Sequence, residues 1–146
     1  MRTRFATVLL ALTVGLGGTL APAAATAHPH SAPASVARVV KAPGFNASGT
    51  WTMYQSNLIN ATLTVTQDAQ GNLTGTARKG STTGSVTGTI EQGFVDGNYI
   101  YFVIPWTDGT RGRCIGSLGT DRRLSGVTTD VAHPTSQATW YTTQTF

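Results

Sequence analysis

The sequence predicts an all-β domain, an eight-stranded antiparallel up-and-down barrel, with a two-sheet β-sandwich as the alternative. Three observations carry this reading. From Ser48 onward, short runs of alternating polar and apolar residues recur at roughly 10–12 residue spacing, and helical periodicity is absent. Turn signals rich in Gly, Asn and Asp separate the runs, because these residues tolerate positive φ cheaply. Every connection is short, so each strand lies beside its predecessor. Strands of this kind with one buried face close into a barrel and remove both free edges.

The first run is Ser48–Gln55 (SGTWTMYQ), with Trp51 expected to plug one end of the barrel. The second, Asn60–Thr66 (NATLTVT), alternates most cleanly: Ala61, Leu63 and Val65 face one way and the threonines the other. The third, Asn72–Arg78, puts Leu73, Gly75 and Ala77 on one face, and the fourth, Gly84–Ile90, does the same with Val86, Gly88 and Ile90. The richest run is Tyr99–Trp106 (YIYFVIPW), where Ile100, Phe102, Ile104 and Trp106 share one face and Tyr99, Tyr101 and Val103 the other. Thr110–Leu118, Arg122–Asp130 and Ser136–Thr145 complete the set. The fragments LTGTA, VTGTI and LSGVT repeat an apolar–hydroxyl–Gly pattern. Glycine weakens a strand unless it has a use. Gly75, Gly88, Gly116 and Gly126 fall on the inner face by alternation, where they either let a small barrel coil tightly or leave room for a pocket.

The segment before the barrel has a different character. Residues 1–27 read as a secretory signal peptide: Arg2 and Arg4 at the start, the apolar FATVLLALTVGLGGTLA in the middle, and a small-x-small site at Ala25-Thr26-Ala27. Residues 28–45, with Pro29, Pro33 and Pro43 and no regular period, read as a flexible leader, and 46–146 as the barrel domain. No other stretch approaches the about 20 apolar residues of a spanning helix. The expected protein is exported, with no membrane contact after removal of the signal. Without Arg2 and Arg4, eight basic residues face six acidic ones. The basic residues lie in pairs near turns, which points to solvated charge and not to a nucleic-acid stripe. The single cysteine, Cys114, excludes an intrachain disulfide. It is expected as a small buried hydrophobe within a strand, the alternative being a bridge between chains.

An enzyme needs clustered titratable groups, and the chain is poor in them. The histidines are His28, His30 and His133, and no CxxC, serine elbow or phosphate loop is present. Asp130 and His133 flank the turn before the last run, where an Asp that satisfies backbone donors is the expected role. A new amino terminus at His28 would offer an amine and an imidazole to Cu(II), but Pro29 removes the amide nitrogen such a site uses. No catalysis, metal or cofactor is expected.

The stretches SGTW (Ser48–Trp51), NLTGTA (Asn72–Ala77) and ATW (Ala138–Trp140), with a central strand ending in Trp106, resemble the avidin and streptavidin family of secreted eight-stranded barrels. The resemblance covers about residues 48–146 and implies that fold. It also implies where a biotin site would lie. There the family's Asn is replaced by Met53, a Ser by Asn57, an aromatic hydroxyl by Ala77 and another Ser by Lys79. Trp106 and Trp140 match two of the family's tryptophans, while its seventh-strand Trp and last-strand carboxylate have no counterpart. Each missing hydrogen bond to a buried ureido group costs about 1–3 kcal/mol. A barrel of that shape without tight biotin binding is therefore expected.

The function expected is a binding module that takes a small molecule or a glycan at the barrel mouth, in a cavity lined by Gly88, Phe102, Ile104, Trp106 and Cys114. The candidate ligand-binding residues are Asn57, Phe102, Trp106, Cys114, Thr128 and Trp140. Aromatic walls with a few polar groups suit such a pocket, although aromatics on inward positions also build cores. The alternative is an enzyme inhibitor or interaction barrel that presents a loop, either Ala77–Gly84 or Val131–Thr135, to an extracellular protein. The outward row Tyr99, Tyr101 and Val103 is more apolar than a solvated face and predicts self-association.

Overall fold

The computed structural model describes residues 41–81 and 84–146. The proposed signal peptide and most of the leader lie outside the described residues, as do residues 82 and 83. The strands are β1 (Gly49–Gln55), β2 (Ala61–Gln67), β3 (Asn72–Ser81), β4 (Gly84–Thr89), β5 (Glu91–Asp96), β6 (Tyr99–Pro105), β7 (Arg111–Leu118), β8 (Arg123–Asp130) and β9 (Gln137–Thr145). All pairings between them are antiparallel.

Eight strands close the barrel and β4 is extra. The pairing β2–β3 joins the two ends of the order β2-β1-β9-β8-β7-β6-β5-β3, and that closure removes the sandwich alternative. The early half of β3 pairs with β5 (Asn72↔Phe94, Leu73↔Gly93), while its later half pairs with β4 from Thr76↔Thr89 to Ser81↔Gly84. The fourth barrel strand is thus β5, and the expected fourth run, Gly84–Ile90, forms a hairpin arm on β3 instead. The reason is a bulge. Register shifts between Glu91 and Phe94, and Gln92 takes a φ of 52°, so the chain breaks its pleat there. EQGFVD therefore lacks the alternation by which the other strands announce themselves.

The interior is solid through most of the barrel. Leu63, Ile100, Phe102, Ile104 and Leu124 are fully buried, and Trp51, Met53 and Trp140 nearly so. Trp51 closes one end as expected from its place in β1. Its ring meets Phe146 edge-on at 5.6 Å, Phe146 meets Phe45 at 6.1 Å, and its Nε1 donates to the Ala47 carbonyl at 3.0 Å. Residues 41–47 strap across this end. Gly44 N donates to Gly97 O at 2.8 Å and the Gln67 side chain donates to Phe45 O at 3.0 Å, so these residues of the expected flexible leader are held to the barrel.

The inward glycines serve close packing. A Cβ on Gly116 would stand 2.5 Å from the Trp140 ring, and one on Gly88 2.5 Å from Ile104. Their missing side chains are replaced by neighbours, not by empty space.

The outer row also differs from expectation. Val103 is only 3% exposed, and Tyr101 is half-buried and stacked on Phe94 at 5.2 Å. Phe94 arrives on β5, the strand not anticipated, and covers part of the face. The register carries apolar residues onward from Tyr101 to Ile115 and Val127, both about one-third exposed. Among the described residues no helix is long and apolar enough to cross a membrane.

Candidate functional site

Strand parity decides which side chains reach the end opposite Trp51. On β3 the inward series Leu73, Gly75 and Ala77 continues to Lys79. On β1 it runs through Met53 to Gln55, on β8 through Thr128 to Asp130, and on β9 Ala138 precedes Trp140. Gly112 and Cys114 come from β7, and Trp106 stands just beyond β6, bridged to Gly88. With Asn57 and Ile59 of the β1–β2 turn, these residues surround a cavity of about 190 Å³. Its floor is apolar, made by Met53, Cys114 and Ala138, and Trp106 forms one wall.

Polar groups ring this floor. Asn57 Oδ1 accepts from Ile59 N at 3.0 Å and Gln137 Nε2 donates to Pro134 O at 3.1 Å, so among the described residues each amide keeps one end unused, and the Gln55 amide has no side-chain hydrogen bond to them. Lys79 is the cation that points inward, with its side chain 15% exposed. Its Nζ lies 4.6 Å from the centre of the Trp106 ring, 3.0 Å from Asp108 Oδ2 and 3.3 Å from Thr110 Oγ1. The other Asp108 oxygen accepts from the Thr110 hydroxyl at 2.6 Å and the Thr110 N–H at 3.0 Å. These bonds, the Thr110 hydroxyl foremost, then its N–H and the Lys79 ammonium, hold the Asp108 carboxyl down at about 2. Arg111 also lines the cavity, and its guanidinium pairs with Glu91 at 2.9 Å in a contact that is open to solvent and contributes little.

Cys114 is 1% exposed and its Sγ donates to Thr128 Oγ1 at 3.4 Å. Burial pushes its thiol up to about 12, so it is a neutral filler and no nucleophile, and its depth places it out of reach of a second chain's thiol. His133 sits 3.3 Å from Asp130 with its side chain 76% exposed. Asp130 is lowered first by the Ala132 N–H and then by His133, the expected turn role. No cluster of three or more His, Cys, Asp or Glu among the described residues could hold a metal ion.

Of the residues expected at a ligand site, Asn57, Trp106, Cys114 and Thr128 come together around the cavity. Phe102 and Trp140 do not; they lie a layer deeper in the core, with their rings 6.5 Å apart. Ile104 is also fully buried core, and Gly88 lines a different hollow. Trp140 Nε1 is the one buried side-chain nitrogen or oxygen among the described residues without a hydrogen-bond partner. Lys79, Gln55, Asp130 and Gln137 were not anticipated as site residues. For Lys79 the signal was present: carrying the parity of Leu73, Gly75 and Ala77 one step further puts a lysine inside the barrel.

The hollow beside Gly88 is larger, about 940 Å³, and lies over Thr62, Thr64, Thr76, Arg78 and Thr87. Those side chains are exposed, so a molecule there stays largely in water. The narrower mouth, with its buried apolar floor, is the better candidate.

Fold and site together define a small β-barrel with one packed end and one concave polar end. Comparison with known proteins finds no matching family model, no matching curated protein and no matching solved structure.

Proposed function

We propose that this protein is an exported binding module that takes a small molecule at the mouth of its barrel and does no chemistry on it. The observation that carries this reading is the uneven filling of the barrel: a packed core up to Trp140, then a cavity of about 190 Å³ with an apolar floor, an aromatic wall and unused amide groups. A few polar groups around a concave apolar surface are what fixes a small ligand in place. The resemblance of SGTW, NLTGTA and ATW to the avidin family supports the same use of the same end. Met53, Ala77 and Lys79, in place of polar biotin partners, point to a different ligand. Signal-peptide features in residues 1–27 support export.

Tryptophan emission tests the proposal. Trp51 and Trp140 are 3% and 2% exposed, so Trp106 is the indole that a mouth ligand touches. A panel of small polar, glycan and amphipathic compounds, biotin included, should contain one that changes the emission of the wild-type chain and not that of Trp106→Phe. Failure of every compound, or an unchanged response in the variant, counts against the mouth.

A second reading has its own observation. Leu58, at the tip of the β1–β2 turn, is 88% exposed and has a φ of 65°, a costly way to hold a large apolar side chain. Val131, in the β8–β9 connection, is 47% exposed. Such a rim would suit an extracellular protein partner or a second copy of the chain. Of the two loops expected for this role, Ala77–Gly84 is mainly the β3–β4 hairpin, which leaves Val131–Thr135 as the freer one. Self-association through the outer row is proposed on Tyr99, Ile115, Val127 and Tyr141, whose exposures run from 36% to 55%.

A further inference from the structure

Lys79 is an odd occupant for a barrel interior. Burying most of a lysine costs desolvation, and Lys79 is repaid by three groups of different kinds: the Trp106 face at 4.6 Å, the Asp108 carboxylate at 3.0 Å and the Thr110 hydroxyl at 3.3 Å. An aromatic face, a carboxylate and a hydroxyl around one point are the chemistry that recognises an ammonium group. The carboxylate is fixed before any cation arrives, because its second oxygen is bound by the Thr110 N–H and hydroxyl. Asp130 and Arg111 also line the mouth, and each has a partner outside this group: Asp130 lies 3.3 Å from His133 and Arg111 2.9 Å from Glu91, which leaves Lys79 and Asp108 as the charges set beside the Trp106 face.

We propose that the mouth is an ammonium-recognition site held shut by its own lysine: Trp106, Asp108 and Thr110 form the site, Lys79 fills it in the free protein, and an amine-bearing ligand enters by displacing Lys79 into the water at the rim. This rests on the mouth reading above and names its ligand class. An anionic ligand would be the simpler guess for a lysine in a pocket. It would have to break the Lys79–Asp108 pair and then lie beside the Asp108 carboxylate, and it would also have to draw Arg111 from Glu91 to gain a second cation.

The consequence is that removing the inward cation strengthens binding. Three probes of one shape separate the possibilities: tert-butylammonium, neutral tert-butyl alcohol and anionic trimethylacetate. Calorimetric titration of the full chain should show tert-butylammonium binding Lys79→Ala about tenfold or more tighter than wild type. The alcohol should gain nothing, and Trp106→Leu added to Lys79→Ala should abolish the gain. Lys79→Met, which keeps the stem over the indole, should gain less than Lys79→Ala. A melting curve of each variant establishes that it is folded before titration.

Equal ammonium affinity in wild type and a folded Lys79→Ala overturns the proposal. So does trimethylacetate binding that disappears with Lys79, which would make the lysine an anion receptor. A neutral compound that binds wild type at the mouth while Lys79→Ala shows no ammonium gain would end this inference and leave the binding module standing. Ammonium binding by Lys79→Ala with no wild-type ligand in the panel would keep the cation site and end the wider reading.

Discussion

Cys114 lies sealed in the apolar floor of the mouth against Thr128, and its burial has a measurable sign. Burial pushes the folded thiol up to about 12, against 9.0 for an ordinary cysteine. Its protonated form is favoured by folding, so the stability it contributes is complete below pH 9 and is lost as pH rises toward 12. In that window the loss is about 1.4 kcal/mol per pH unit at most. Denaturant melts of wild type and Cys114→Val at pH 8 and pH 10.5 should show a smaller alkaline loss in the variant; equal losses would contradict the buried thiol. Asp108 has the opposite sign. Its carboxyl is held at about 2 against 3.8, so its contribution is present above pH 3.8 and disappears as pH falls to about 2. Asp108→Asn should flatten the acid limb of the melting curve between those values. Much of this was legible from residue identity: a lone cysteine inside a strand reads as buried. The Lys79–Asp108–Trp106 contact was not, because it joins β3 to the β6–β7 turn and no local pattern records that meeting.

At the scale of elements, alternation told most and failed where the pleat fails. β2 and β3 show their inner faces in sequence because polar and apolar residues trade places without interruption. β5 was hidden by its bulge at Gln92, and its pairing with β3 through Asn72↔Phe94 and Leu73↔Gly93 was hidden with it. The role of the inward glycines was left open by alternation and is decided by packing. Gly116 faces the Trp140 ring, and a Cβ there would also meet Ser125 O at 2.7 Å. At Gly126 the obstruction is the backbone of β7 itself, at Ile115 O and Gly116 Cα, which cannot swing aside. Urea unfolding should therefore show Gly116→Ala destabilised by about 1–3 kcal/mol. Gly126→Ala should lose more. A Gly126→Ala barrel as stable as wild type would mean that β7 and β8 do not approach this closely.

On the scale of the whole molecule, the barrel is asymmetric end to end. One end is stoppered by Trp51, Phe45 and Phe146, while the other narrows to a polar cavity. Its outside is asymmetric too. The outward residues of β1, β2 and β3 are mostly threonines, whereas β6 to β9 present Tyr99, Tyr101, Ile115, Val127 and Tyr141. Self-association should use the second half, and sedimentation at tens of micromolar should find Val127→Lys of lower mass than wild type; a wild-type monomer removes that proposal. The end-to-end asymmetry is the central claim, and Gly112 is the place to probe it. Gly112 faces the mouth, and an added Cβ would meet Trp106 Nε1 and Thr128 Oγ1 at ordinary contact distances of 3.4 and 3.6 Å. Gly112→Leu should thus fill the cavity and leave the fold intact. The deciding measurement is a thermal-shift titration of wild type and Gly112→Leu with the compound that alters Trp106 emission. A ligand at 100 times its dissociation constant adds about 2.7 kcal/mol, a rise of several degrees for a domain of this size. That rise is expected in wild type, and none in a folded Gly112→Leu. An equal rise in both would place the ligand elsewhere and contradict the mouth as the binding site.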